Sequence, residues 1–187
     1  ATRVFEELGC SVDQSDIALE SPFDTWWTIY STSAYINYGE LLEERGSDLT
    51  WYARMAIEEG REVTAAKYVK ALGQRDRMRA RFDDVLENHD LLLSPTMAVT
   101  AFRVGQYPKQ IDCKDPYPSP AWGFLPFTHP INTIGYPAAS VPCGFSADGM
   151  PVGLHIVGRP GAEATILAAS AAFERARPWI QHRPPIS

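Results

Sequence analysis

No run of apolar residues in this 187-residue chain approaches the roughly 20 that a helix needs to cross a bilayer. A helical membrane span is therefore not expected. Basic residues are outnumbered, 17 Lys and Arg against 23 Asp and Glu, for a formal charge of −6. That balance argues against a nucleic-acid partner, which needs a basic stripe to meet phosphates. Cysteine is scarce: Cys10, Cys113 and Cys143 are odd in number, widely spaced and without a CxxC pair. Free thiols of this kind fit a reducing compartment, and a cytoplasmic location is expected. The four histidines, His89, His129, His155 and His182, form no HExxH motif and no i,i+4 pair. Neither a metal nor a cofactor is expected.

The local patterns of a hydrolytic centre are missing as well. A GxSxG elbow fails at its last position in Gly144-Phe145-Ser146-Ala147-Asp148. There is no SxxK, and no Gly/Ser-rich loop offers a row of N–H groups to an oxyanion or phosphate. Ser31-Thr32-Ser33 falls on an expected helix, where hydroxyls bond back to the preceding turn. His155 alternates with Leu154 and Ile156, as a surface or hydrogen-bonded strand residue does. Glu43-Glu44 and Glu58-Glu59 read as solvated helix faces. No catalytic residue is assigned.

What is present is a full-sized core in a globular composition, 45% hydrophobic and 21% charged. Val4, Phe5 and Leu8 share one helix face that ends at Gly9. A helix that opens at residue 1 without a start signal leads us to expect a piece of a longer protein. Residues 10–19 alternate as a short strand. Ser21 or Asp24 caps a long helix through Trp26, Trp27, Ile29, Ala34, Tyr35 and Tyr38. A short helix follows Asp48-Leu49-Thr50 and stops at Gly60. From Thr64 to about Asn88 the residues Tyr68, Leu72, Met78, Phe82, Val85 and Leu86 recur at helical spacing. Asp90 to Pro95 reads as a fully buried strand. A Pro-rich irregular stretch from about 95 to 121 is long enough to suggest a functional loop. Asn132 and Gly135 close a short helix, and Pro137 leads into a strand from Ala138 that Pro142 ends. Asp148-Gly149 turns that strand into a second one, Val152 to Val157. Ala162 to about Arg177 is a helix presenting Leu167, Ala168, Ala171 and Phe173, stopped by Pro178. The order predicts an α/β or α+β chain.

Two stretches carry a resemblance. One is Asp90-Leu91-Leu92-Leu93-Ser94-Pro95-Thr96 after the long helix. The other runs from Trp122-Gly123-Phe124-Leu125-Pro126-Phe127-Thr128-His129-Pro130-Ile131-Asn132 through Gly135-Tyr136-Pro137-Ala138-Ala139-Ser140-Val141-Pro142-Cys143-Gly144 to Gly153-Leu154-His155-Ile156-Val157-Gly158. Together they resemble the C-terminal region of the amidase signature family, which includes aminoacyl-tRNA amidotransferase A subunits and bacterial aliphatic and aryl amidases.

The resemblance implies an α/β fold, with residues 1–187 as one segment: the C-terminal portion of a mixed central β-sheet flanked by α-helices. It implies amide hydrolysis through an acyl-enzyme in the parent protein. The family's nucleophilic Ser, its bridging Ser on a cis peptide and its Lys base lie in the N-terminal half around a Gly/Ser-rich signature. This sequence has no Ser-Ser dipeptide, so none of the three is carried over. By the same resemblance Trp122, Phe124, Phe127, Thr128 and Ile131 line the acyl side of the pocket for a small-molecule amide. His129 stands where an aliphatic or aromatic residue is expected, and Arg54 matches loosely an Arg that holds a substrate carboxylate. The expected partners are a complementary N-terminal catalytic segment or, through exposed apolar surface, further copies of the chain. The alternative is a non-catalytic scaffold or binding chain derived from the same fold.

Overall fold

A computed structural model describes residues 1–119 and 121–183. In chain order the elements are α1 (Thr2–Glu7), α2 (Pro22–Tyr38), α3 (Leu41–Glu44), α4 (Trp51–Arg61), α5 (Ala65–Glu87), β1 (Leu92–Pro95), α6 (His129–Ile134), β2 (Ala138–Phe145), β3 (Pro151–Val157) and α7 (Glu163–Ala176).

The Asp148-Gly149 turn folds β2 back onto β3 as an antiparallel pair, with Ser140 opposite His155 and Val141 opposite Leu154. Pro142 does not end its strand. The register shifts between Pro142 and Gly144 and pairing resumes to Phe145. A proline is tolerated here because β2 is an edge strand, where the missing N–H spares the ladder. On the other side of β3 lies β1, also antiparallel, with Leu93 opposite Ile156. The order β1-β3-β2 makes β1 an edge as well, so Leu92, Leu93 and Ser94 are only half-buried where full burial is expected from their sequence.

The sheet divides two apolar clusters. On one face Val141, Leu154 and Ile156 meet Ile166 and Phe173 of α7 and Val4 and Phe5 of α1. The Phe5 and Phe173 rings stack at 5.6 Å. The inward face of α7 is the i,i+7 pair Ile166 and Phe173, with Ala169 and Ala176 beside it. Leu167 points away, 67% exposed, one residue out of phase with the expected face. On the other face Met78, Phe82 and Leu86 of α5 enclose Ile131, Ile134, Tyr136 and Val157. Residues 10–19 form no strand. They run as irregular chain that drops Ile17 and Leu19 onto this second cluster and Val12 onto the first. Their alternation is satisfied by two separate apolar surfaces.

Local chemistry sets the helix ends. Thr64 caps α5 by accepting from the Lys67 N–H at 3.2 Å. Gly135 takes φ 73° just past α6, a left-handed turn that a Cβ would disfavour. Arg79 Nη2 then donates to the Ile134 carbonyl at 2.6 Å, and the Tyr136 hydroxyl donates to Asp83. Burial, with that bond, pushes the Tyr136 phenol up to about 12. These two bonds pin α6 against α5. At the far end of α5, His89 Nδ1 donates to the Val85 carbonyl at 2.7 Å and Nε2 to Asp13 at 2.8 Å. Both ring nitrogens thus face acceptors, which favours the imidazolium. The Val85 carbonyl first and then Asp13 raise the His89 pKa above its ordinary value, with Asp90 adding to the field.

α2 and α4 approach each other closely at Gly60. A Cβ placed on Gly60 would stand 1.9 Å from the Ser31 carbonyl oxygen and 2.9 Å from the Tyr35 Cβ. Gly60 is therefore a packing residue inside α4, not its stop, and the helix continues to Arg61. The surface of α2 that meets it is small and polar: Thr25, Thr28 and Ser31 are all buried. Two of these hydroxyls bond backward along the helix, Thr25 Oγ1 to the Ser21 carbonyl at 3.0 Å and Ser31 Oγ to the Thr28 carbonyl at 3.4 Å. Among the described residues no helix is long and apolar enough to cross a membrane.

Two outcomes follow from these contacts. Gly60→Ala should cost at least about 2 kcal/mol in urea denaturation, because the clash is with backbone. An unchanged midpoint would contradict the close approach. His89 should titrate above its unfolded value by NMR. Its contribution to stability is then fully present below pH of about 6.5 and is lost as pH rises through the folded pKa. In His89→Gln that pH dependence should disappear.

Candidate substrate-binding wall

Phe23, Trp26, Trp27 and Tyr30 fall at i, i+3, i+4 and i+7 of α2 and therefore share one helix face. The Trp26 and Tyr30 rings stack at 5.1 Å, and Phe23 stacks on Trp27 at 6.0 Å. Ser31, one turn after Trp27, meets Gly60 of α4, so this aromatic face adjoins the contact between the two helices. Trp27 Nε1 donates to Glu59 of α4, which fixes the orientation of that indole. From the start of α4, Trp51 reaches the same group.

The irregular stretch between β1 and α6 supplies the remaining rings. It is tied down at both ends: the Thr96 N–H donates to the Gly153 carbonyl at 3.0 Å, and the Ala98 N–H to the Phe124 carbonyl at 3.1 Å. Trp122 and Gly123 both donate to the Ser119 carbonyl, at 3.1 and 2.8 Å, which makes a tight turn there. That turn places Trp122 at the centre of the cluster, 5.3 Å from Trp27, 5.8 Å from Trp26, and 6.5 Å from both Phe23 and Trp51. The Tyr117 hydroxyl donates to Asp24 while its ring meets the edge of Phe23 at 6.4 Å. A second patch adjoins through Trp51 and Tyr107, where Phe124 packs against Phe102 at 5.1 Å.

The residues expected from sequence are thus distributed over the wall and its backing. Trp122 is central and half-buried, and Phe124 sits in the adjoining patch. Phe127 and Thr128 are half-buried on the approach to α6, with Thr128 Oγ1 donating to the Leu125 carbonyl at 3.4 Å. Ile131 faces the other way, into the cluster of Met78, Phe82 and Leu86. Sequence reasoning treated Trp26 and Trp27 as an apolar helix stripe and gave Phe23 and Trp51 no role. Their signal was legible in the i, i+3, i+4, i+7 run of aromatics, which is wider than a core contact needs.

His129 is 7% exposed, with Phe23 and Trp26 each 5.7 Å from its ring. Its Nδ1 lies 2.7 Å from the Leu125 carbonyl, which can only accept, so Nδ1 carries the proton. Burial lowers its pKa, against a smaller opposing effect of that hydrogen bond, so the ring is neutral near pH 7. Nε2 is left as an acceptor, and it is buried without a hydrogen-bond partner among the described residues.

The other polar candidates lead elsewhere. His155 is 5% exposed on the sheet, with Nδ1 3.4 Å from Ser94 Oγ, and burial lowers its pKa too. Ser94 Oγ also donates to the Pro95 carbonyl at 3.1 Å, so the hydroxyl is shared within the sheet. Arg54 donates to the Gly46 carbonyl on the wall of an open groove of about 560 Å³. That groove alternates Arg54, Arg61 and Lys67 with Glu58, Glu59 and Glu62. Its charges compensate one another and it carries no aromatic ring, so the aromatic wall is the better candidate for an amide-bearing ligand. Among the described residues no three His, Cys, Asp or Glu side chains converge on a metal position.

The Amidase family model matches residues 33–167 of the chain. The chain belongs to the amidase signature family. It is 45% identical over 119 residues, 64% of its length, to the A subunit of the glutamyl-tRNA(Gln) amidotransferase of Moorella thermoacetica. It is 28% identical over 98% of its length to an acylamidase of Rhodococcus erythropolis. Among solved structures, a bacterial aryl acylamidase of the amidase signature family superposes with a TM-score of 0.84 at 29% identity, covering 98% of this chain and 41% of that one. A 6-aminohexanoate cyclic dimer hydrolase gives 0.80 at 26% identity, with 98% and 41% coverage. The chain spans 23% of the length of the amidotransferase relative and 39% of that of the acylamidase.

The two buried histidines should titrate below the ordinary value. An unfolded chain takes up those protons near pH of about 6.5 while the folded chain does not, so their contribution to stability falls as pH drops below that point. Histidine Cε1–H titration by NMR should show His129 and His155 below His89, and any other order would contradict the burial assigned to them.

Proposed function

We propose that this chain is one segment of an amide hydrolase and forms one wall of its substrate pocket. The observation that carries the reading is the aromatic wall centred on Trp122, a residue inside the stretch that matches the amidase family, packed on Trp26 and Trp27 of α2. Trp122, Phe124, Phe127 and Thr128 contact the substrate, and Ile131 supports them from the core behind. An aromatic surface with a few fixed polar groups suits a small or aryl amide. The three free thiols, Cys10, Cys113 and Cys143, fit a reducing compartment such as the cytoplasm.

In this reading residues 1–187 belong to a single domain that a complementary segment completes. That segment brings the nucleophilic Ser, the bridging Ser and the Lys base. Acyl transfer then proceeds there: Ser attacks the amide carbonyl, the amine leaves, and water releases the acid. The present chain holds the acyl or aryl group in place, so its effect is on positioning. Exposed apolar side chains such as Ile36, Val69, Val104 and Phe145 offer surface for the complementary segment or for further copies.

The test has two arms. The chain alone, incubated with acetanilide, should release no aniline, and robust turnover by it would overturn the reading. Joined to a segment carrying the Ser-Ser-Lys set, it should restore turnover. There Trp122→Ala should raise KM for acetanilide about tenfold, consistent with loss of one aromatic contact. Failure of every such combination to hydrolyse amides would favour the scaffold reading.

A further inference from the structure

The imidazole of His129 stands out within the aromatic wall because its Nε2 is buried and has no hydrogen-bond partner among the described residues. Leaving a buried acceptor unpaired carries a desolvation cost on the order of 1–3 kcal/mol. The imidazole's ring neighbours Phe23 and Trp26, each 5.7 Å away, make no hydrogen bond to Nε2 among the described residues. The proton on Nδ1 is fixed by the Leu125 carbonyl, so the ring cannot turn Nε2 into a donor by changing tautomer. A lone pair held in one direction inside an apolar wall is an arrangement that a ligand donor completes.

We propose, resting on the pocket-wall reading above, that His129 is a specificity-determining residue. It selects flat aryl ligands bearing an O–H or N–H, whose donor Nε2 accepts while the ring lies among Trp26, Trp27 and Trp122. Trp122 is the ring that yields to the ligand, because it is half-buried and carried by irregular chain, whereas Trp26 and Trp27 are fixed on α2. An aryl group without a donor gains the same stacking but leaves Nε2 unpaired. Discrimination of this kind rests on the group left unsatisfied in the wrong complex. Amides carry an N–H, and phenols and anilines carry an O–H or N–H on the ring, so the class includes anilides and the amine products of their cleavage.

The experiment uses the 187-residue chain and two probes of nearly equal shape, phenol and toluene. Binding is followed by tryptophan fluorescence, and the state of Nε2 by imidazole ¹⁵N NMR. Phenol should shift the His129 Nε2 resonance toward the hydrogen-bonded position, and toluene should not. In His129→Phe the ratio of phenol to toluene affinity should fall about tenfold, the loss of one buried hydrogen bond, while toluene binding persists. If His129→Phe does not fold, the wild-type ¹⁵N response to the two probes decides the matter alone. Equal ¹⁵N responses to both probes, or an unchanged affinity ratio in the variant, would overturn the donor requirement and leave the pocket wall standing. Binding of neither probe would overturn the selectivity assigned to His129, while the pocket-wall reading keeps its own test in the completed enzyme.

Discussion

The placement of the site depends on one contact, the approach of Gly60 to the Ser31 carbonyl between α4 and α2. Two helices that meet through a glycine and a row of small hydroxyl residues lie closer than bulky side chains allow. That proximity sets Trp27 beside α4, where its Nε1 donates to Glu59, while Trp26 and Trp27 also meet Trp122 on the chain that precedes α6. It also brings the start of α4 alongside, so Trp51 joins rings from α2 and Trp122. The wall is thus anchored along one side by this tight helix packing. The polar row gives this contact fixed geometry at little side-chain entropy cost, because its hydroxyls bond to their own helix.

A second constraint fixes the floor. α6 is only six residues long, too short to be stable through its own hydrogen bonds. It is held by Arg79 on its last carbonyl, by Tyr136 on Asp83 and by the burial of Ile131 and Ile134. His129 sits at the start of this helix, so the direction of its ring is inherited from α5. The same six residues therefore serve the core with one side and the aromatic wall with the other. Ile131 and His129, two positions apart, mark that division.

Much of the fold was legible in the sequence, for identifiable reasons. α5 announces itself by a capping Thr64 and a long helical repeat, and the β2–β3 pair by Asp148-Gly149 between alternating runs. The short helix ending at Gly135 was also readable, since Gly and the following Pro leave few alternatives. Residues 10–19 misled because alternation marks two-sided burial, and here the two sides are separate clusters with no strand partner. Leu167 misled because α7 is rich in alanine, so several faces look alike until the sheet selects Ile166 and Phe173. Gly60 looked like a helix stop because close backbone approach leaves the same mark in sequence as a cap. Of the wall, the part on the loop was legible through resemblance, and the part on α2 was hidden inside an ordinary apolar stripe. The bare Nε2 of His129 was not legible at all, since it depends on which carbonyl the other nitrogen meets.

The three-stranded sheet has two flanks of unequal character. Along β2, Pro142 removes one backbone donor and the irregularity before Gly144 breaks the regular spacing of the next. An incoming strand finds no continuous ladder there. Along β1 the short run Leu92-Leu93-Ser94 is regular, and proline appears only at its end. Strand addition is therefore directional: one margin is closed by its own covalent chemistry and the other is open. Such a polarity lets a sheet grow from a single side while guarding its opposite margin against indiscriminate pairing.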